Sequence, residues 1–382
     1  MDIEEKINIV KSIAAEIVTE EDLKVLFETK EHPSAYDGFE PSGLAHLPLG
    51  IYRPLILKEL LKTGIKFKLL LADTHAWINN KMGGDIEKIR RSAEYYLEVW
   101  KVAGKVLGVD LSSIEVIWHK DFFDDPEYWR KVLLIAKNHT ITRTRRALTI
   151  AGRLDAGSNP TSFYFYPSLQ CADIFHLQVD ICQLGLDQRK VNVLAREMSE
   201  KIDPAYNKPL YKVLGYEGGV NGKPVLVHHS IIPGLEEPPK TSVGYDEDER
   251  IDKVIAYKMS KSKPETSIFV HDPPEVVRKK IRKAYCPPKS SVENPVLSYV
   301  KEIVFRAYKE FTVERKGKES LTFYNYHDLE ASYIRGEIHP LDLKNALADY
   351  LIRLIEPIRK HFETNIHAKN LYETIKQAEI TR

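Results

Sequence analysis

The chain has little cysteine. Cys171, Cys182 and Cys286 are odd in number, far apart and without a C-x-x-C pair, so neither a disulfide framework nor a structural zinc site is indicated. They read as reduced thiols, and no metal site of the protein's own is expected. No apolar run approaches the ~18 to 20 residues of a membrane-spanning helix, and the opening Met1-Asp2-Ile3-Glu4-Glu5 is acidic where a secretory leader is basic and then apolar. These absences predict a cytoplasmic protein without membrane contact. No G-x-G-x-x-G follows the first predicted strand, which argues against a dinucleotide-dependent dehydrogenase. Repeats and low-complexity tracts are also missing. Charge of one sign is scarce too: the net charge is +1, and residues 271–382 hold 20 basic against 16 acidic side chains. An excess that small fits a solvated surface as well as a phosphate-facing one.

What is present is 382 residues with 43% hydrophobic and 10% aromatic content, a soluble globular composition with room for two or three domains. Residues 1–32 read as a charged, helical lead-in, with Ile3, Ile7, Val10, Ile13 and Ile17 at near-helical spacing. Strand candidates are Tyr36 to Phe39, Lys66 to Ala72, Ile114 to Trp118 and Val179 to Leu184. Helices are predicted from about His46 to Lys62, after Gly83-Gly84-Asp85, from Asp125-Pro126-Glu127, and over about 168–178. This alternation predicts an α/β domain over 33–268 with a Rossmann-like, doubly wound parallel sheet. Its ligands should sit at the carboxyl ends of the strands near a topological switch point. Residues 204–257, rich in Pro and Gly and including Tyr245-Asp246-Glu247-Asp248-Glu249, read as a surface insertion. From Asp272 onward the periodicity is helical, which predicts an all-helical domain over 269–382.

One stretch organises the rest: Tyr166-Pro167-Ser168-Leu169-Gln170-Cys171-Ala172-Asp173. On a helix, Tyr166, Gln170 and Asp173 share a face, aiming a phenol, an amide and a carboxylate at one place. A core helix would not turn these groups inward, because each buried polar group without a partner costs on the order of 1 to 3 kcal/mol. A solvated helix face would read the same way, so the stretch needs its company. Lys258-Met259-Ser260-Lys261-Ser262 is K-M-S-K-S itself, and Phe39-Glu40-Pro41-Ser42-Gly43 with His46-Leu47 follows the first strand candidate.

With these stretches the chain resembles the class I aminoacyl-tRNA synthetases, and in detail the archaeal and eukaryotic-type tyrosyl-tRNA synthetases. Gly185 to Lys190, Lys283 to Pro287 and His339 to Ala346 match as well, in the family's order and across almost the whole chain. The resemblance implies a catalytic domain over 33–268 and an anticodon-binding domain over 269–382. The partners it implies are L-tyrosine, ATP with Mg2+, and tRNA(Tyr), in a homodimer. Cations stabilise the charge that develops on a leaving pyrophosphate, so Lys258, Lys261 and His46 are the catalytic candidates. Glu40, Ser42 and Asp187 complete the ATP-binding set. Tyr36 and Asp173 match the phenol-binding pair, and Tyr166, Gln170 and Gln188 the residues that hold the amino end of tyrosine. Hydrogen-bonding the phenol rejects phenylalanine because the analogue leaves buried polar groups unpaired, a discrimination already known for the tyrosyl-tRNA synthetases. His339, Pro340 and Asp342 match the tRNA-binding positions; they read equally as a loop and cap before a helix. Thr142 to Arg146 and Arg189 match a face toward the acceptor end, or a solvated arginine-rich one.

The family's H-x-G-H is here His46-Leu47-Pro48-Leu49 followed by Gly50, without the second histidine. That departure keeps two rivals in view: a tryptophanyl-type enzyme, which shares both nucleotide elements, and a synthetase-like RNA binder that has lost catalysis.

Overall fold

In the computed structural model, which describes residues 1–148, 159–239 and 249–378, ten strands form three sheets. The main sheet holds β1 (Glu16–Val18), β2 (Ser34–Phe39), β3 (Lys66–Leu71), β4 (Glu115–Trp118), β5 (Ile181–Cys182) and β8 (Val225–His228); β6 (Ile202–Asp203) and β7 (Lys208–Pro209) make a small hairpin. Its order is β1-β8-β5-β2-β3-β4, parallel throughout except for β1, which runs antiparallel to β8. From β2 the chain steps outward to β3 and β4, then returns to lay β5 on the other side of β2. Strand order therefore reverses between β2 and β5. The segments leaving their carboxyl ends diverge there and open the crevice in which such sheets bind ligands.

Helices cover both faces. The Ile86–Leu107 helix starts where Asp85 caps the backbone N–H groups of Glu87 and Lys88, and stops at Gly108 in the left-handed region (φ 66°). Ile89, Ala93, Tyr96, Trp100 and Ala103 recur at helical spacing and are buried on its inner face. With Val10, Leu55 and Tyr52 they build a core that continues without a break into Val277, Leu343, Leu347 and Leu351 of the C-terminal helices. The second core covers the opposite face and holds Phe163, Leu169, Val191 and Leu194. The packing thus runs without a gap from the sheet and its helices into the C-terminal helices.

Several elements differ from the sequence reading. The lead-in is not only helical, because Glu16–Val18 joins the sheet. The 204–257 stretch is not only an insertion: Val225–His228 is fully buried and completes the sheet. Its apolar, β-branched letters are flanked by Pro and Gly, which hid them. Residues 245–248 of the acidic run lie outside the described residues. The organising helix spans Thr161–His176 with Pro167 inside it. Proline usually marks a first turn, but burial of Phe163 against the second core carries the helix through. The C-terminal domain is helical apart from one hairpin, β9 (Phe311–Arg315) and β10 (Lys318–Phe323), turned at Gly317 with φ 73°. Among the described residues no helix is long and apolar enough to cross a membrane.

Candidate active site

The crevice at the switch point holds a cavity of about 680 Å³, lined by segments that leave β2, β3, β5 and β8 and by residues 258–263. That volume suits a bound nucleotide or amino-acid derivative. At its blind end lies Asp173, 1% exposed. Its carboxylate accepts hydrogen bonds from His75 Nε2 (2.9 Å), His119 Nε2 (3.1 Å) and the Tyr128 hydroxyl (2.7 Å). Burial works to raise the Asp173 carboxyl, but the two imidazoles outweigh it and hold the group well below the ordinary carboxylate range. Burial likewise works to lower His75, and the Asp173 charge beside it turns the shift upward. The donor atoms of His75, His119 and Asp173 lie within 4.8 Å of one another, a set a divalent ion would need; here the two imidazoles bond the carboxylate directly.

A carboxylate has about four lone-pair sites. Oδ1 takes His119 and Tyr128 while Oδ2 takes His75, so one site on Oδ2 is left over. Tyr36, on β2, brings its hydroxyl to the same end of the cavity. Among the described residues that buried hydroxyl meets no partner.

Toward the middle, Tyr166 donates to Glu40 Oε1 (2.7 Å) and Gln170 Nε2 to Gln188 Oε1 (3.2 Å). Glu40 also receives Asn79 Nδ2 at 3.1 Å and faces Lys81 at 3.6 Å. At the open end Lys258 pairs with Asp187 at 2.8 Å. Burial disfavours both charges, yet the pairing pushes Lys258 up and Asp187 down. Lys261 donates to Ser42 Oγ at 3.1 Å and to the Tyr96 hydroxyl. His46 lines the same end. Burial first, then Lys261 and Lys258, hold its imidazole well below its ordinary value, so it is neutral near pH 7 and offers a hydrogen bond rather than a charge. Among the described residues its buried Nδ1 has no partner. Leu49 is buried in the cavity wall, and its carbonyl accepts the Trp100 indole N–H at 2.9 Å.

The structure therefore brings Tyr36, Glu40, Ser42, His46, Tyr166, Gln170, Asp173, Asp187, Gln188, Lys258 and Lys261 to one cavity. It does not bring His339, Pro340 and Asp342 there. His339 is the N-cap of the Pro340–Thr364 helix and accepts the Leu341 N–H at 3.2 Å, while Asp342 sits in the first turn. Arg143 and Arg189 pair with Glu197 (3.0 Å) and Glu16 (2.9 Å). The sequence reading missed His75, His119 and Tyr128. A signal existed for the histidines: both stand just beyond the carboxyl ends of β3 and β4, where parallel sheets carry their chemistry.

Residues 28–242 and 253–356 match the family described as tRNA synthetases class I (W and Y), and the chain belongs to it. The chain is 38% identical to the tyrosine–tRNA ligase 1, cytoplasmic, of Arabidopsis thaliana over 385 residues, which cover 100% of this chain and 90% of that protein. The crystal structure of the tyrosyl-tRNA synthetase complexed with L-tyrosine from Pyrococcus horikoshii aligns with a TM-score of 0.86 at 40% identity, over 98% of this chain and 100% of that one. The tryptophanyl-tRNA synthetase of Aeropyrum pernix K1 shares the fold, with a TM-score of 0.60 at 20% identity over 95% of this chain and 85% of that one. Within the family the chain thus falls on the archaeal and eukaryotic tyrosyl side.

Proposed function

We infer that the chain is a tyrosine–tRNA ligase, as its full-length relatives are, and that the cavity performs both steps of that reaction. One observation carries the substrate assignment: among the described residues, the blind end offers one unpartnered phenol hydroxyl and one open carboxylate lone pair, on Tyr36 and Asp173. A substrate phenol between them accepts from the first and donates to the second, so both are satisfied. Phenylalanine leaves both unpaired. Tyr166, Gln170 and Gln188 then hold the amino end of tyrosine, directing its carboxylate toward the open end.

ATP enters as its Mg2+ complex. Asp187 takes the ribose, Glu40 and Ser42 border the nucleotide, and His46, Lys258 and Lys261 surround the phosphates. The tyrosine carboxylate attacks the α-phosphate; the bond to the bridging oxygen breaks and pyrophosphate leaves with the electron pair. The site supplies positioning and positive charge, and no general base is needed because the nucleophile is already ionised. The 3'-terminal adenosine hydroxyl of tRNA then takes the tyrosyl group and AMP departs. His339, Pro340 and Asp342 meet the anticodon end of tRNA(Tyr). The proposal includes a cytoplasmic homodimer, and Leu133 and Ile141 are large apolar side chains left more than half exposed.

Tyrosine-dependent ATP–pyrophosphate exchange, with tryptophan and phenylalanine run alongside, tests the assignment. Exchange with tyrosine alone is expected. Exchange with tryptophan would move the chain to the sister enzyme, and no exchange from folded protein would mean that Leu49 marks a binder without catalysis.

A further inference from the structure

Two consecutive tyrosines on the Ile86–Leu107 helix face the nucleotide elements, and no role given so far uses them. Tyr95 is 0% exposed and Tyr96 2%. The Tyr96 hydroxyl lies between two segments far apart in the chain. It accepts the Ser42 backbone N–H at 3.1 Å, and the Lys261 ammonium donates to it. Lys261 Nζ also stands 4.6 Å from the centre of the Tyr96 ring and 3.1 Å from Ser42 Oγ. Tyr95 extends the join: its hydroxyl accepts the Ala45 N–H at 3.1 Å and meets His271 Nε2 at 2.7 Å.

The two loop lysines are thus held in different ways. Lys258 rests on the Asp187 carboxylate, which neutralises it. Lys261 rests on the neutral hydroxyls of Tyr96 and Ser42, which restrain a four-carbon flexible stem while leaving its charge uncancelled. Burial alone would raise the Tyr96 phenol; Lys261 beside it turns the shift downward.

We propose that Tyr96 is a positioning residue of the activation step, whose hydroxyl holds the Lys261 ammonium beside Ser42 at the phosphate end of the cavity. This rests on the reading of Lys261 as a phosphate ligand, so the two are tested separately. Lys261→Met lowers exchange strongly if that reading is right; unchanged exchange in this variant overturns both. Tyr96→Phe keeps the ring and removes the acceptor. It is expected to lower kcat of ATP–pyrophosphate exchange about tenfold, the scale of one hydrogen bond to a charged group, with KM for tyrosine unchanged. Transfer from preformed enzyme-bound tyrosyl-adenylate to tRNA should not change, since pyrophosphate has already left. In the Lys261→Met background, Tyr96→Phe should add nothing. An equal loss in both backgrounds, or a matching loss in the transfer step, would show that Tyr96 only supports the fold and would overturn the proposal. So would exchange by Tyr96→Phe at the wild-type rate. Because misfolding lowers exchange and transfer alike, their ratio decides the matter even if the variant is less stable.

Discussion

The two ends of the cavity are built on opposite plans. At the blind end Asp173 already holds three donors and leaves one lone pair, and Tyr36 leaves one hydroxyl. At the open end both cations rest on the side chains assigned to the nucleotide, Lys258 on Asp187 and Lys261 on Ser42. On the proposed reading, tyrosine adds hydrogen bonds to a finished frame, whereas ATP exchanges existing ones. Selectivity then rests with the end whose groups are already paired, where a wrong side chain leaves polar groups unpaired. Turnover, on the same reading, rests with the open end, where a lysine exchanged from Asp187 to the phosphates would meet the charge as it develops.

Four substitutions and one titration sharpen this contrast. The largest effect is expected from Asp173→Ala. It removes the phenol acceptor and strands His75, His119 and Tyr128, so tyrosine activation should fall about a thousandfold or more and the fold should lose about 3 to 5 kcal/mol. Near-normal exchange in this variant would dissolve the blind-end frame. The same carboxylate sets a pH signature. Its folded pKa lies below its unfolded value, so its contribution to stability is complete above about pH 5 and disappears as pH falls through the folded value. Urea unfolding of wild type and Asp173→Asn should differ most near pH 7 and converge in strong acid; a constant gap would deny the ionised state.

Next comes Lys258→Ala, expected to lower kcat of activation about a hundredfold while leaving KM for tyrosine unmoved. A parallel rise in that KM would mean that the two ends are not independent. Tyr36→Phe should cost about tenfold in kcat/KM for tyrosine, one hydrogen bond's worth. Removing a buried hydroxyl without a partner should leave the unfolding midpoint equal or higher, and a marked loss of stability would show a hidden partner. The smallest effect belongs outside the cavity. His339→Ala should lower tRNA charging a few-fold and weaken a helix cap by about 1 kcal/mol, with exchange untouched; equal loss in exchange would tie the cap to the cavity.

How far the sequence reaches follows from how the groups are held. Lys258 and Lys261 are legible because their chemistry lies in five consecutive letters. Tyr166, Gln170 and Asp173 are legible because helical spacing carries them to one side. His75 and His119 stand apart in the chain and meet only because β3 and β4 are neighbours, with the His119 N–H bonded to the Leu71 carbonyl at 3.0 Å; no pattern within either segment announces that. Tyr96 is hidden among the apolar letters of an amphipathic helix. β8 was obscured by its own turn-rich flanks. The hairpin at Gly317 lies where Phe311, Val313 and Arg315 alternate over too few residues to outweigh the helical periodicity on either side.

The pairing of β1 with β8 also bears on how the protein is made. Glu16–Val18 precedes the other strands of the sheet in sequence, and among the described residues its strand partner is β8, which begins at Val225. At roughly 5 to 20 residues per second, synthesis of the intervening ~200 residues takes roughly 10 to 40 s. Throughout that interval residues 16–18 lack the β8 backbone with which they pair in the folded sheet. The brevity of β1 is the safeguard, since so short an edge offers little template for a neighbouring chain on the same message. The first strand of the sheet in sequence can thus take its place at the edge only once β8, and with it β2, β3 and β5, has been made.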